Sequence, residues 1–296
     1  MTRTPRLAIG MPVRNGERYL RQALDAHLRQ TFGDFQIVIG DNASTDATPE
    51  ICLEFARSDE RIVYHRHAVN LGAAGNFNAV FRMSTAELFK WSADDDVLLP
   101  GYLERCVELL DRDRRLSHAH CYTGEIDADG NRLGNQEDLL GLVDESPSRR
   151  LQASFRLVYP GSVWAVMRSA AVARTRLHGP YLGSDWNFIA EMLLQGGLGL
   201  VPEYLFFVRN HPGAFSSPAN QGGTSKAQRL QWFSPGRRMP AFMSPAQSLY
   251  FFVEAVLKHP LPPRERLRCL RYIAARMGGK AARRLHLSGA PSGAAG

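Results

Sequence analysis

Through the first 110 residues, short unbroken apolar runs alternate with stretches whose apolar positions repeat at helical spacing. Leu7–Met11 runs apolar up to Pro12, and Glu17–Gln30 gathers Tyr19, Leu20, Ala23, Leu24 and Leu28 on one helical face. Phe35–Ile39 is a second apolar run, ending at Gly40-Asp41. Asp46 can cap a helix reaching about Ser58, with Pro49 tolerated near its start. Arg61–His65 reads as a third strand, Ala73–Met83 as a helix, Leu88–Trp91 as a fourth strand, and Pro100 opens a helix with Leu103, Val107 and Leu110 on one face. Strand and helix alternating at this rhythm predict βαβ units and a parallel sheet. Strands that are apolar throughout, not alternately, agree, because helices cover both faces of such a sheet.

The second half is less regular. Ser117–Ile126 with a return after Asp129-Gly130 predicts a hairpin. Ser146–Leu157 predicts a helix, Ser162–Met167 a strand, Asp185–Leu194 a helix and Leu198–Arg209 a strand. A polar, Gly-rich loop (217–240) precedes two helices, about Ala241–Lys258 and Pro263–Met277, with Gly278-Gly279 and a last basic turn after them. Residues 288–296 are Gly, Ala, Ser and Pro and read as a disordered tail. The expected division is 1–216 as the catalytic domain, cut near 111 into a donor half and an acceptor half, followed by the loop and a basic helical segment over 241–287.

Charge changes the picture once it is located. The chain of 296 residues carries a net +7, which invites a nucleic-acid reading. From Lys258 to His286 there are nine basic side chains against Glu265 alone, so the other 267 residues carry 27 basic and 28 acidic groups. The body is near neutral and the excess belongs to one segment. Interleaved aromatics beyond Tyr272 are missing there, so nucleic acid is not an expected partner. The four cysteines form no C-x-x-C pair, which disfavours a zinc ribbon, and reduced thiols fit a cytoplasmic chain. No leader-like or membrane-spanning run is expected.

Ligands of open α/β sheets bind beyond the carboxyl ends of the strands. Those ends carry Pro12–Glu17, Asp41–Thr45, Asn70–Gly72 and Asp94–Asp96. Three adjacent carboxylates repel unless a cation neutralises them, and hard oxygens suit Mg²⁺ or Mn²⁺ shared with phosphate oxygens. A solvated acidic turn ahead of the Pro100 helix is the plainer alternative.

Met11-Pro12-Val13-Arg14-Asn15-Gly16-Glu17, Asp41-Asn42-Ala43-Ser44-Thr45-Asp46-Ala47-Thr48, Asn70-Leu71-Gly72 and Asp94-Asp95-Asp96 with Pro100-Gly101-Tyr102-Leu103 stand in one order. That order and spacing resemble the family 2 glycosyltransferases, strongly over residues 5–111 and more thinly to about 216. The resemblance implies an α/β GT-A (Rossmann-like) fold with a mainly parallel central sheet, and a metal-dependent inverting transfer from a nucleotide-sugar donor to a saccharide, lipid-linked or small-molecule acceptor, as in cell-envelope polysaccharide synthesis. Pro12, Val13, Asn15 and Glu17 would line the nucleotide. Asp41 would accept a hydrogen bond from the base, which suits uracil or thymine and favours UDP- or dTDP-sugars. Asn70 and Gly72 would line base and ribose, Asp94 the ribose and Asp95 the donor, and Asp96 (or Asp95) the metal as part of a DXD motif, with His211 as a further metal or diphosphate contact. Asp185 would be the general base, with Ser184 in place of a first acid usual there. Ser162, Trp164 and Trp186 would face the acceptor, in a segment that begins at Tyr159. Ser184 and Asp185 also fit a simple helix cap, and Trp164 a core residue.

Other functions fit less well. A sugar nucleotidyltransferase needs a Gly-rich first loop, and Pro12–Glu17 offers only Gly16. A dinucleotide oxidoreductase needs G-x-G-x-x-G there. A non-catalytic nucleotide-sugar-binding protein is opposed by the intact Asp94–Asp96 and Asp185. Gln228-Arg229-Leu230-Gln231-Trp232 departs from the Q-x-x-R-W signature of processive synthases and reads as chance. For the basic segment two readings stay open: a helix packed on the body with solvated arginines, or a peripheral contact with the anionic inner face of the membrane.

Overall fold

A computed structural model describes residues 4–136, 142–157, 160–181, 183–214 and 245–288. The expected 217–240 loop, Tyr159, the Gln228–Trp232 motif and residues 289–296 lie outside them.

The first half folds as its pattern predicts. Strands β1 (Leu7–Val13), β2 (Phe35–Asp41), β3 (Ile62–Arg66) and β4 (Leu88–Trp91) alternate with helices α1 (Leu20–Leu28), α2 (Thr48–Ser58) and α3 (Gly72–Arg82). They lie in the order β3-β2-β1-β4, all parallel, with Leu7 opposite both Phe35 and Leu88. A two-residue strand β5 (Val97–Leu98), which the pattern does not predict, and α4 (Tyr102–Arg112) follow. The apolar runs are buried on both faces. Leu7, Ile9 and Met11 pack with α1 and α4, while Ala8, Val38, Phe89 and Trp91 pack on the other side with Val80.

The sheet continues through the second half with strands of mixed direction. β6 (Leu116–Ile126) runs parallel to β9 (Gly197–Arg209), and its far end pairs antiparallel with β7 (Arg132–Gln136) as the expected hairpin. β8 (Val166–Arg168) joins β4 to β6, antiparallel to both, and β5 pairs antiparallel with β9. Helices α5 (Pro147–Ser154), α6 (Ser169–Ala173) and α7 (Ser184–Gln195) complete this half. The strand expected over 162–167 is only its last part. Gly161–Trp164 is a 3₁₀ turn, because the Trp164 carbonyl accepts from the Lys90 ammonium (2.9 Å) and the Tyr102 hydroxyl (3.0 Å) in place of a ladder partner.

α8 (Pro245–Lys258) and α9 (Pro263–Ser288) close the chain. The second is longer than predicted, since Gly278-Gly279 lies within it; glycine costs a helix only about 1 kcal/mol per residue. Cys269 and Ile273 of α9 are buried with Ala255 and Val256 of α8, Leu151 of α5, and Ala190 and Leu194 of α7. Burying a side chain such as Ile273, Val256, Leu151 or Leu194 contributes roughly 1.5–3 kcal/mol, so Cys269 and Ile273 anchor α9 to the body while Leu267 stays 49% exposed. No helix among the described residues is long and apolar enough to cross a membrane.

Ala43, between Asp41 and Asp46, sits in the left-handed region with φ 57°. That conformation costs an L-residue roughly 1–2 kcal/mol that glycine does not pay. Ala43→Gly is therefore expected to raise the denaturant midpoint, by about 0.5–1 kcal/mol after the added unfolded-state entropy. An unchanged or lower midpoint in urea unfolding would remove strain at this loop from the account.

Candidate active site

The loops beyond β1, β2 and β3 are tied to one another by side chains. Asn15 accepts from the Thr45 backbone N–H (2.9 Å), and its own N–H donates to Ser44 Oγ (3.0 Å). Gly16 N–H donates to Thr48 Oγ1 (2.9 Å), and Glu17 accepts from Ala47 N–H (2.9 Å). Asn42 bridges to the third loop, donating to Asn70 Oδ1 (2.9 Å) and accepting from Leu71 N–H (2.7 Å). Asn70 also accepts from Gly72 N–H (2.9 Å). These Asn, Asp, Ser and Thr residues satisfy turn backbone that no strand or helix serves. Asp41 is wholly buried: one oxygen accepts from Ser44 N–H (2.9 Å), the other from Tyr64 Oη (2.8 Å), and the Arg66 guanidinium stands 3.5 Å away.

The acidic loop closes against the first loop. A Cβ on Gly16 would sit 2.0 Å from Asp94 Oδ2, so a larger residue there would push this carboxylate aside. Burial first, and the neighbouring Asp95 charge second, push Asp94 up to about 8 and Asp96 well above the ordinary carboxylate range. Asp96 is buried and accepts from the Arg209 backbone N–H (3.1 Å). Asp95 faces His211, with Oδ2 2.9 Å from Nε2.

Arg209 holds this cluster together. Its buried guanidinium donates to the carbonyls of Asp95 (2.9 Å), Asp127 and Ala128 (both 3.2 Å), and to Gln22 Oε1 (2.6 Å). It also lies 4.6 Å over the Tyr19 ring, which packs 4.8 Å from the His211 ring. The acidic loop, the β6–β7 turn, α1 and His211 are thus joined through one side chain. Below them the ammonium of Lys90 is fully buried, donating to the Trp91 (2.9 Å) and Trp164 (2.9 Å) carbonyls and lying 5.2 Å from both the Tyr102 and Phe206 rings. Burial lowers its pKa to about 8, opposed by Asp96.

Across the site, the 3₁₀ turn carrying Ser162 and Trp164 packs between β4 and α7. α7 begins at Gly183, whose φ of 86° makes the entry turn. Asp185 in its first turn accepts from Trp186 N–H (2.9 Å) and from its own backbone N–H. Burial raises its pKa, and these backbone bonds oppose the rise. Ser162 and Ser184 are buried, each with a hydroxyl that has no partner among the described residues.

The structure brings Pro12, Val13, Asn15, Glu17, Asp41, Asn70, Gly72 and Asp94–Asp96 to one sheet edge. It joins His211 to Asp95; no hydrogen bond or ion pair links His211 to Asp96, the other carboxylate expected beside it. Trp164 has its ring 6.1 Å from Phe77 and so also serves the core, while Trp186 is half-buried beside Gly183. Sequence reasoning passed over Arg209 and Lys90. The signal for Lys90 was present, as the one charge inside the apolar run Leu88–Trp91. Among the described residues no group of three or more His, Cys, Asp or Glu side chains is arranged to hold a metal by itself.

Comparison with known proteins follows this geometry. The model for glycosyl transferase family 2 matches residues 8–173. An uncharacterized glycosyltransferase of Rickettsia typhi is 29% identical over 111 residues, 38% of this chain and 34% of that protein. The aligned stretch thus spans about a third of that relative's length. The structure resembles residues 1–349 of S. aureus TarS in complex with UDP-GlcNAc (TM-score 0.64, 14% identity, 91% of this chain and 71% of that one). It also resembles the mannosyltransferase PcManGT from Pyrobaculum calidifontis in complex with GDP-Man and Mn²⁺ (TM-score 0.54, 16% identity, 95% of this chain and 76% of that one). With the GT-A fold thereby established and the family model spanning more than half of its length, the chain belongs to glycosyl transferase family 2.

Proposed function

We propose that the protein is an inverting, metal-dependent glycosyltransferase, moving a sugar from a nucleotide diphosphate to an acceptor hydroxyl. The observation that carries this reading is the Asp95–His211 pair at the edge where the four polar loops meet. One carboxylate and one imidazole form a donor set that Mg²⁺ or Mn²⁺ completes with phosphate oxygens and water. Such an ion, held by Asp95 and His211 against the diphosphate, would supply charge neutralisation for the leaving group. Asp94 and Asp96 serve by field: their buried carboxyls are costly as anions until a cation arrives.

Asp185 takes the proton from the acceptor hydroxyl. The acceptor oxygen bonds to the anomeric carbon from the face opposite the diphosphate, whose bond to that carbon breaks, and the nucleoside diphosphate leaves. Ser162 and Ser184 offer hydrogen bonds to the acceptor, and Trp186 an apolar wall.

For the base, a UDP- or dTDP-sugar is the first reading, through Asp41 and the N3–H of a pyrimidine. It requires Arg66, whose side chain is half-exposed, to swing aside, since Asp41 is closed off by Tyr64 and Arg66. GDP-sugars are the second reading. TarS and PcManGT are likened to this chain in complexes with UDP-GlcNAc and with GDP-Man, so either donor suits the fold. Arg264, Arg268 and Arg271 of α9 are exposed while Cys269 and Ile273 are buried, which supports an electrostatic contact with an anionic cytoplasmic membrane surface.

Thermal-shift titration with UDP, dTDP and GDP is expected to raise Tm only when Mn²⁺ is present, as about 2.7 kcal/mol of stabilisation at a hundredfold excess over Kd. Asp95→Asn and His211→Ala should each abolish the metal-dependent part; no shift with any nucleotide would refute the donor-site reading. Asp185→Asn should abolish transfer while leaving that shift intact. A carboxylate with a raised folded pKa costs stability as pH climbs through its unfolded value of about 3.9, in full above the folded value. The Asn variant should therefore melt higher than wild type at neutral pH, with the difference closing toward about pH 3. A lower melting point at neutral pH would contradict the burial argued for Asp185.

A further inference from the structure

The family match ends at residue 173, yet the turn that carries Asp185 lies beyond it, and so does what holds that turn. We infer that α8 is part of the catalytic unit, with Phe251 acting as a positioning residue for Asp185 through Tyr181 and Asn187. This rests on Asp185 being the base.

The contacts run in one direction. The Phe251 ring stacks on Tyr181 with centroids 4.8 Å apart and planes within 6°. Tyr181 is buried, and its hydroxyl donates to Asn187 Oδ1 (3.2 Å), in the same first turn of α7 as Asp185. Phe251 also lies 4.6 Å from the Arg176 guanidinium, and its carbonyl accepts from Arg176 at 3.5 Å. Arg176 in turn donates to Glu191 Oε1 (2.6 Å), two turns further along α7, and pairs with Glu254 of α8 (3.0 Å). Phe251 thus touches both ends of the segment 176–181 that leads into the base-bearing turn.

The anchor at the far end is firm. Glu191 is wholly buried, and two donors from Arg176, the backbone N–H (3.2 Å) and Nε, meet its two oxygens. Burial pushes its carboxyl up, but His259, 3.5 Å away, and the Arg176 guanidinium outweigh this and hold it below the ordinary range. Ala190 and Leu194 of α7 pack with Ala255 and Val256 of α8. A buried, paired charge has few alternative positions, so α7 cannot slide against α8 without breaking it. What remains adjustable is the entry turn, where Gly183 supplies a left-handed step and the Asp185 carboxylate is held by backbone N–H groups of its own turn. The Tyr181–Phe251 stack removes that freedom. Positional error of about 1 Å in a reacting group can cost on the order of 100-fold in rate.

The test measures hydrolysis of the donor by the full-length protein with Mn²⁺, water standing in for the acceptor. Phe251→Ala should lower kcat about tenfold with the donor KM within about twofold, and Phe251→Tyr, which keeps the stacked ring, should restore it. Tyr181→Phe keeps the stack but deletes the hydroxyl to Asn187; it should lower kcat in the same direction by a smaller factor, and it decides the matter if Phe251→Ala unfolds. Unchanged kcat in Tyr181→Phe, together with either unchanged kcat or unfolding in Phe251→Ala, overturns the proposal, provided Asp185→Asn is inactive. An active Asp185→Asn would instead overturn the assignment of the base, so the two failures are told apart.

Discussion

Three consecutive carboxylates at the end of a buried strand are the constraint around which this molecule is arranged. Left to themselves, Asp94, Asp95 and Asp96 would repel one another and seek water. Two buried cations prevent this from opening the loop. Arg209 grips the loop by the Asp95 carbonyl and, through its own backbone N–H, by the Asp96 carboxylate. Lys90 sits beneath, its charge spread over two carbonyls and two aromatic rings. Neither cation forms an ion pair with the triplet among the described residues. The triplet is therefore held in place without ion pairs, and burial keeps Asp94 and Asp96 reluctant to ionise.

The rest of the sheet follows from that arrangement. Parallel strands β1 to β4 deliver their polar ends to one edge, and β9 returns from the second half to bring Arg209 and His211 to the same place. Lys90 and Tyr102 then fix the Trp164 carbonyl, so the 3₁₀ turn is registered against the acidic loop. α7, which carries Asp185 in its first turn, packs on that 3₁₀ turn as well. The acidic loop and the 3₁₀ turn are thus coupled through buried polar contacts and not through surface ion pairs, which contribute little.

The parts of this plan legible in the sequence were those set by local chemistry. Apolar runs and helical spacing gave β1–β4 and their helices nearly residue for residue, and Asn, Asp and Gly marked the loops that converge. What escaped was decided by contacts distant in sequence. The 3₁₀ turn at Gly161–Trp164 displaces a strand because its carbonyl serves Lys90, 74 residues earlier. The sequence left both Asp96 and Asp95 open beside His211; Arg209, more than 100 residues away, takes Asp96 and leaves Asp95 to face it. α9 runs through a glycine pair because one long helix absorbs a small local cost. The charge excess was rightly assigned to the C-terminal segment, but only packing reveals that α8 and α9 belong to the same core as α7.

The central claim is that the sheet edge is a metal–diphosphate site organised by Asp95 and His211. A crystal structure of the protein grown with UDP or GDP and Mn²⁺, with anomalous scattering used to place the ion, tests it most directly. The account predicts one Mn²⁺ bound between Asp95 Oδ2 and His211 Nε2, with the diphosphate oxygens completing its shell and Asp96 still bonded to the Arg209 N–H. An ion held by Asp96 without Asp95, or a nucleotide bound at this edge with no ion beside His211, would contradict it.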